Sequence, residues 1–371
     1  MIDQRKNTVI SIVILLPSIL LVGIFVYGFI GNTIVVSLTD WGHALGGLSL
    51  HPQKNFVGLQ NYRDLFTNFI HGRFRQDLIN AVFYSIILMA GALSLGFFFA
   101  VLLDRKVRGE GFFRTLFLYP MALSFIVTGT IWRWLFAPSG GFNIIPTFFG
   151  GEPVDFLWIS SRKRVLSFNW QNLPQIFFTA AAIFFTVVIL QQLITRSDKH
   201  RLRNLIIWGV SVLYVVVLHR LLPPILPVEE LHGYNLATLG ISIASVWQYA
   251  GYTMALYLAG LRALPESLKE SAQLDGAGEF LFYWKIAIPN LKPITLSAVI
   301  VLAHISLKMF DLIYAMAGAD NANTGHPSIN MYLTTFRANN FAVGAAMAVI
   351  LFILAAFFII PYLVNTHREM R

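Results

Sequence analysis

Eight stretches of this chain, approximately 8–36, 79–103, 112–136, 174–194, 205–225, 238–262, 294–317 and 340–364, are each long and apolar enough to cross a bilayer. A spanning helix needs about 20 mostly apolar residues, because the hydrocarbon core is about 30 Å thick and a helical residue rises about 1.5 Å. Composition agrees. Charged residues are 12% of the 371 and apolar ones 56%, with a mean hydropathy of +0.66. A soluble domain carries about 25% charged residues, so this chain lacks the polar coat that water demands. The expected fold is all-α: about eight transmembrane helices in one membrane domain over 1–371.

The formal net charge is +9, and its placement carries the topology. With the first helix retained and its N-terminus inside, behind Arg5 and Lys6, the cytoplasmic segments are 104–111, 195–204, 263–293 and the C-terminal tail. These hold Arg105, Lys106 and Arg108, then Arg196, Lys199, Arg201 and Arg203, and finally Arg368 and Arg371. The external loop 226–237 has no Lys or Arg, and 318–339 has only Arg337. This is the positive-inside asymmetry, and it predicts an even number of spans with both termini in the cytoplasm. The external loop 37–78 carries Lys54, Arg63, Arg73 and Arg75, and the loop 137–173 carries Arg162, Lys163 and Arg164. The second run goes against the rule. Trp41, Gly46, Gly47 and Pro52 suggest that 37–78 forms a compact external cap. No basic face or recognition motif points to nucleic acid. With no cysteines, disulfides, thiolate chemistry and Cys-based metal sites are excluded. The histidines show no metal-ligand spacing.

The cytoplasmic loop 263–293 has its own organisation. Pro265 sits where a helix begins, with Glu266 in the first turn, where the helix dipole favours it. Gly276 and Gly278 interrupt that helix and permit a turn. A second amphipathic stretch, Phe280 to Ile288, ends before Pro289. The loop reads Glu270-Ser271-Ala272, three residues, Gly276, nine residues, then Ile286-Ala287-Ile288-Pro289.

That spacing resembles the cytoplasmic motif of integral subunits of ABC importers: Glu-Ala-Ala, three residues, Gly, nine residues, Ile-x-Leu-Pro. Ser271 and Ile288 depart from it, both by small changes. Ser37-Leu-Thr-Asp-Trp41, Phe56-Val-Gly-Leu-Gln-Asn-Tyr62, Arg108-Gly-Glu-Gly-Phe-Phe-Arg114, Tyr119-Pro120, Ile131-Trp132-Arg133-Trp134 and Phe310-Asp311-Leu-Ile-Tyr314 resemble the carbohydrate-uptake branch, the maltose and glycerol-phosphate permeases. Region 150–235 lies outside the resemblance, and Gly318-Ala-Asp320 replaces the family's frequent Gly-Gly-Pro.

The resemblance implies six core helices, with two more inserted in 150–235 after the third. It implies a coupling helix, carrying Glu270, Ser271, Ala272, Asp275 and Gly276 and followed by Ile286 and Pro289, that docks on a separate ATPase. It implies a second permease subunit in a heterodimer, two ATP-binding subunits and an extracytoplasmic solute-binding protein in a bacterial or archaeal plasma membrane. The chain holds no phosphate-binding loop, so ATP and magnesium belong to the partner and this chain is no enzyme. The expected cargo is a sugar; Tyr119-Pro-Met-Ala-Leu-Ser124 leans toward glucose-like monosaccharides or small glucosides. The alternative is an ion-coupled secondary transporter of a small polar solute. That would call for inverted repeats and mid-membrane carboxylates; no repeat is visible, and Asp311 is the one acidic residue well inside a span.

Polar residues inside the spans are candidates for the substrate cavity. In 238–262, Ser245, Gln248 and Tyr252 share a helix face at steps of three and four; interhelical hydrogen bonding is the alternative reading. In 294–317, steps of four and three would place His304, Lys308 and Asp311 on one face. Lys308 and Asp311 are expected to pair, either lining a cavity or locking two helices. Arg133 between Trp132 and Trp134 reads as an interfacial anchor.

Overall fold

The computed structural model describes residues 2–42, 54–105, 107–194, 200–222 and 230–369; the side chains of 2–11, Phe168, Trp170, Phe358 and 361–369 are outside the description. Gly46, Gly47, Pro52, Lys106, Arg196, Lys199 and Arg371 therefore fall outside it, as do the side chains of Arg5, Lys6 and Arg368. Most of the described residues are helical, with one two-stranded sheet, as hydrocarbon requires of a chain that must bond its own backbone.

Helix α1 (Ile2–Val22) passes through a wider-wound stretch, Gly23–Gly28, into α2 (Phe29–Ser37). A short α3 (Gln60–Thr67) precedes the long α4 (Gly72–Asp104). Next come α5 (Glu110–Ala122) and α6 (Phe125–Leu135). Strand β1 (Arg164–Asn169) leads to α7 (Leu173–Ile194) and α8 (Arg201–Leu213), which runs on to α9 (His219–Leu221). Strand β2 (Leu231–Asn235) opens directly into α10 (Leu236–Ala263). The loop helices α11 (Glu266–Leu274), α12 (Glu279–Phe282) and α13 (Ile288–Asn290) follow. The chain continues with α14 (Lys292–Leu307), α15 (Asp311–Ala317), α16 (Pro327–Tyr332) and α17 (Phe341–Glu369).

The core is built on α4 and α10, the pair in most extensive contact. Tyr84, Leu88 and Ala92 of α4 pack with Ile241, Ala244 and Tyr249 of α10, and with Leu302, Leu312 and Met316. The two helices approach closely because Gly96 lies against Thr253, where a Cβ would overlap its hydroxyl. Thr253 Oγ1 in turn donates to the carbonyl of Ala92.

The two sets of loops segregate to opposite ends of this core. At the Asp104 end, Arg105 pairs with Glu279 at 2.7 Å, Arg262 with Glu110 at 2.7 Å, and Tyr283 donates to Asp104 at 2.8 Å. Segments 104–111 and 263–293 thus share one side. At the Gly72 end, Arg73 donates to the Ala319 carbonyl at 2.8 Å, Asn80 to Gly325 at 2.9 Å and Asn330 to Asp77 at 2.9 Å.

Three expectations are revised. The span 112–136 is two helices bent by 99° at Ala122–Phe125. The span 294–317 stops at Leu307, and α15 begins as a separate helix at Asp311; the second bend, of 68°, lies before α14, between Glu279–Asn290 and Lys292–Leu307. The span 79–103 begins earlier, at Gly72, because the charges that look like loop residues are satisfied inside the fold. Arg75, fully buried, pairs with Glu230 and donates to the carbonyls of Leu65 and Asn68.

Among the described residues, four helices are long and apolar enough to cross a membrane, or six if each bent pair is one span. The expected eight are not all recovered by that criterion. Helix α10 is 28 residues long, but buries Ser242, Ser245, Gln248 and Thr253 against its neighbours. Helix α17 is apolar over Phe341–Phe357, and Phe358, whose side chain lies outside the description, follows directly.

Residues 54–78 lie over the first turns of α17. Leu65 and Phe74 are buried with Val343, Ala346 and Met347. Asn61 donates to the carbonyls of Ser37 and Thr39, and the Trp41 ring lies 4.7 Å from that of Phe341.

Candidate functional site

Two places combine special backbone geometry with unsatisfied or exposed groups. The first is the 263–293 loop. Helix α11 begins after Pro265 and ends in a left-handed glycine: Gly276 has φ +79°. Its N–H reaches the Gln273 carbonyl at 3.0 Å, and the Ala277 N–H reaches back to Ala272 at 2.9 Å. This paired closure is the Schellman cap, and it needs a residue free to adopt positive φ. Ala272 is buried, with Ala277 and Ile286 packed on the same cluster, so the cap has an apolar backing.

Glu270, Ser271, Asp275, Gly276 and Pro289 all face outward. So do three large apolar side chains: Leu274 is 89% exposed, Phe280 79% and Trp284 63%. The Phe280 and Trp284 rings stack at 6.2 Å. Exposed side chains of this size, on a loop tied to the core by the Arg105–Glu279 ion pair and the Tyr283–Asp104 hydrogen bond, are the makings of a protein-docking surface. Sequence reasoning found the helix and the glycine but passed over these three; their periodicity reads as burial until the fold shows which face is free.

The second place is the bend between α5 and α6. Helix α5 contains Pro120 and stops at Ala122; Leu123 is extended, and the Ser124 hydroxyl caps α6 by accepting from Val127 N–H at 3.3 Å. Gln248 of α10 donates to the Leu123 carbonyl at 3.1 Å. Its own side-chain oxygen is buried without a hydrogen-bond partner. A cleft of about 480 Å³ opens there, lined by Ser124, Phe125, Gln248, Tyr249, Ile305 and Asp311 among others. It offers an amide acceptor, a hydroxyl, a carboxylate and aromatic surface, a mixture that suits a small polyhydroxylated ligand.

The expected polar residues divide. Gln248 and Asp311 meet in this cleft. Ser245 does not: it is fully buried, shares a 2.6 Å hydrogen bond with Tyr84 and donates to the Ile241 carbonyl, which ties α10 to α4. Tyr252 and His304 are half-buried away from the cleft lining. Lys308 and Asp311 are both exposed, and no ion pair joins them. The reason is the helix end. Lys308 caps the C-terminus of α14 and Asp311 sits in the first turn of α15, each where the local dipole favours its charge. The α5–α6 bend itself was missed, although Pro120 followed by Ser124 is a stop-and-cap signal.

Comparison with known proteins follows the same lines. Residues 199–369 match the family described as binding-protein-dependent transport system inner membrane component. A probable ABC transporter permease protein of Pyrococcus horikoshii is 34% identical over 96% of this chain and 95% of its own length. The xylose/arabinose import permease protein of Haloferax volcanii is 28% identical over 94% of this chain and 85% of its own. Among solved structures, a chain of a bacterial ABC transporter involved in the import of the acidic polysaccharide alginate shares the fold. Its TM-score is 0.63 at 15% identity, covering 100% of this chain and 99% of that one.

Proposed function

The chain belongs to the carbohydrate-uptake family of ABC transporter permeases, and from that premise we propose how it imports its sugar. It takes a glucose-like monosaccharide or small glucoside from an extracytoplasmic binding protein and passes it through a pore shared with a second, different permease subunit. Eight helices cross the plasma membrane with both termini in the cytoplasm, six forming the core and two the 150–235 insertion. Two ATPase subunits hold the ATP and magnesium; this chain holds no cofactor. Helix α11, carrying Glu270, Ser271, Ala272, Asp275 and Gly276, seats in a cleft of one ATPase, and closure of the ATPases turns the bundle from inward-open to outward-open. Gln248 and Asp311 contact the sugar at the α5–α6 bend.

The observation that carries the reading is the capped α11 and the exposed apolar side chains Leu274, Phe280 and Trp284 on and beside it. The segment that follows α11 in the same loop is tied through Arg105–Glu279 and Tyr283–Asp104 to the end of α4, so a push on the loop reaches the central helix. The cleft supports the cargo assignment, since Gln248 has one bonded and one unmet polar atom.

Copurification from detergent-solubilised membranes tests the coupling claim. An ATPase subunit is expected to follow the wild type and to be lost or uncoupled in Gly276→Asp and Glu270→Lys. If no ATPase copurifies with the wild type, the proposed docking role of the loop is wrong.

A further inference from the structure

The run Arg162-Lys163-Arg164 sits on the side of the molecule where positive charge is unexpected, and the fold gives it a specific position. Strands β1 and β2 pair antiparallel, with Arg164 opposite Asn235 and Asn169 opposite Leu231. Asn235 is the cap of α10, and Leu236 N–H at its first turn donates to the Lys163 carbonyl at 3.0 Å. At the other end of the ribbon, Asn169 is followed within four residues by the start of α7. Both ends of the ribbon therefore lie at the ends of long apolar or core helices on the same side. A two-stranded ribbon pinned at that level at both ends runs along the membrane surface, not away from it.

Its side chains match that position. Arg162, Lys163 and Arg164 are exposed, and none is taken up in an ion pair among the described residues. Arg164 also donates to the Leu231 carbonyl, which fixes its guanidinium on the ribbon. Val165, Leu166 and Leu231 beside them are each more than half exposed, and so are Phe148 and Phe149 in the same loop region. The adjoining α7 has no fully buried side chain over its 22 residues, which are predominantly apolar; the faces that α8 does not cover are those of a helix set in lipid. Basic heads flanked by apolar side chains at a helix end match the two chemistries of a bilayer interface, phosphate and acyl chain.

We propose that Arg162, Lys163 and Arg164, with the exposed apolar residues of the β1–β2 ribbon, form a binding surface for the headgroups of anionic phospholipids at the foot of the α7–α8 hairpin. The positive run then stands where an external loop is not expected to have one because it anchors the inserted pair of helices to the leaflet.

The test needs no transport. The chain, purified with the subunits that accompany it, is reconstituted in an equimolar mixture of phosphatidylcholine and phosphatidylglycerol and re-extracted. The lipid it retains is then counted by mass spectrometry. Each basic residue at an anionic surface is worth roughly five-fold in partitioning. The wild type is expected to enrich phosphatidylglycerol several-fold, and Arg162→Gln/Lys163→Gln/Arg164→Gln to lose most of that. Arg162→Gln/Lys163→Gln, which leaves the Arg164 bond to Leu231 in place, should fall between the two. Arg162→Lys/Arg164→Lys should keep the enrichment. No enrichment by the wild type, or equal enrichment by the triple variant, overturns the proposal. So does an unchanged lipid count in a variant that has lost stimulation by the binding protein, which would assign the run to a protein partner.

Discussion

At the scale of single residues, Gly276 and Gln248 make the sharpest claims. An L-residue with a side chain at φ +79° is strained by about 1–2 kcal/mol. Gly276→Ala should therefore weaken ATPase retention by about ten-fold, while Gly276→Asn, which tolerates the left-handed region, keeps more of it. A titration of ATPase binding separates the two. Gln248→Leu removes the one buried amide with a free acceptor in the cleft. The sugar concentration for half-maximal uptake should rise about ten-fold, as expected when a hydrogen-bonding group of about 1.5 kcal/mol is lost, with basal ATP hydrolysis unchanged. Ser245→Ala should do the reverse, lowering the thermal midpoint through the lost Tyr84 bond and leaving half-saturation alone. On sequence spacing Ser245 and Gln248 were equivalent. Only the neighbouring helices distinguish them, because α4 covers one and the α5–α6 bend opens beside the other.

At the scale of elements, the bond between the insertion and the core is concentrated in Glu230. This carboxylate, at the start of β2, takes the Nε of buried Arg75 at 2.8 Å and the His232 ring at 2.9 Å. Burial would raise its pKa, yet the Arg75 and His232 bonds and charges hold it below the ordinary value of 4.5. A depressed carboxylate contributes stability that is present above its unfolded pKa and lost as the pH falls through its folded one. The thermal midpoint of the wild type should therefore drop as pH is taken below about 4.5. In Glu230→Gln that part of the dependence should vanish, and the protein should lose about 3–5 kcal/mol at neutral pH because Arg75 is left buried and unpaired. An unaltered acid profile in Glu230→Gln would refute the assignment. Single helices were legible from runs of apolar residues: Leu173–Ile194 falls within a residue of its expected bounds, although the described residues give four to six spans and not eight. Helix breaks were less so. A span is recognised by mean apolarity, which is insensitive to a bend: 112–136 stays largely apolar across its break, and in 294–317 the two charges at the break, Lys308 and Asp311, are outweighed by the apolar residues around them. The ribbon was hidden for another reason, since its strands are separated by the whole α7–α8 hairpin.

At the scale of the molecule, the account is of a long α4–α10 core with loops of two kinds at its two ends. The Lys and Arg placement put segments 104–111 and 263–293 on one side, and the Arg105–Glu279 ion pair joins them at one end of the core. The exception, Arg162 to Arg164, was unreadable as anything but a conflict until the ribbon gave it a level. The family assignment predicts that energy enters at the α11 end and sugar at the other. The most direct measurement is uptake of labelled glucose, trehalose and xylose by proteoliposomes holding the chain with its partner subunits and binding protein. ATP is sealed inside or omitted, and an ionophore added or not. The account predicts uptake of at least one sugar that requires enclosed ATP and survives the ionophore. Uptake that proceeds without ATP and collapses with the ionophore would contradict it and identify an ion-coupled carrier.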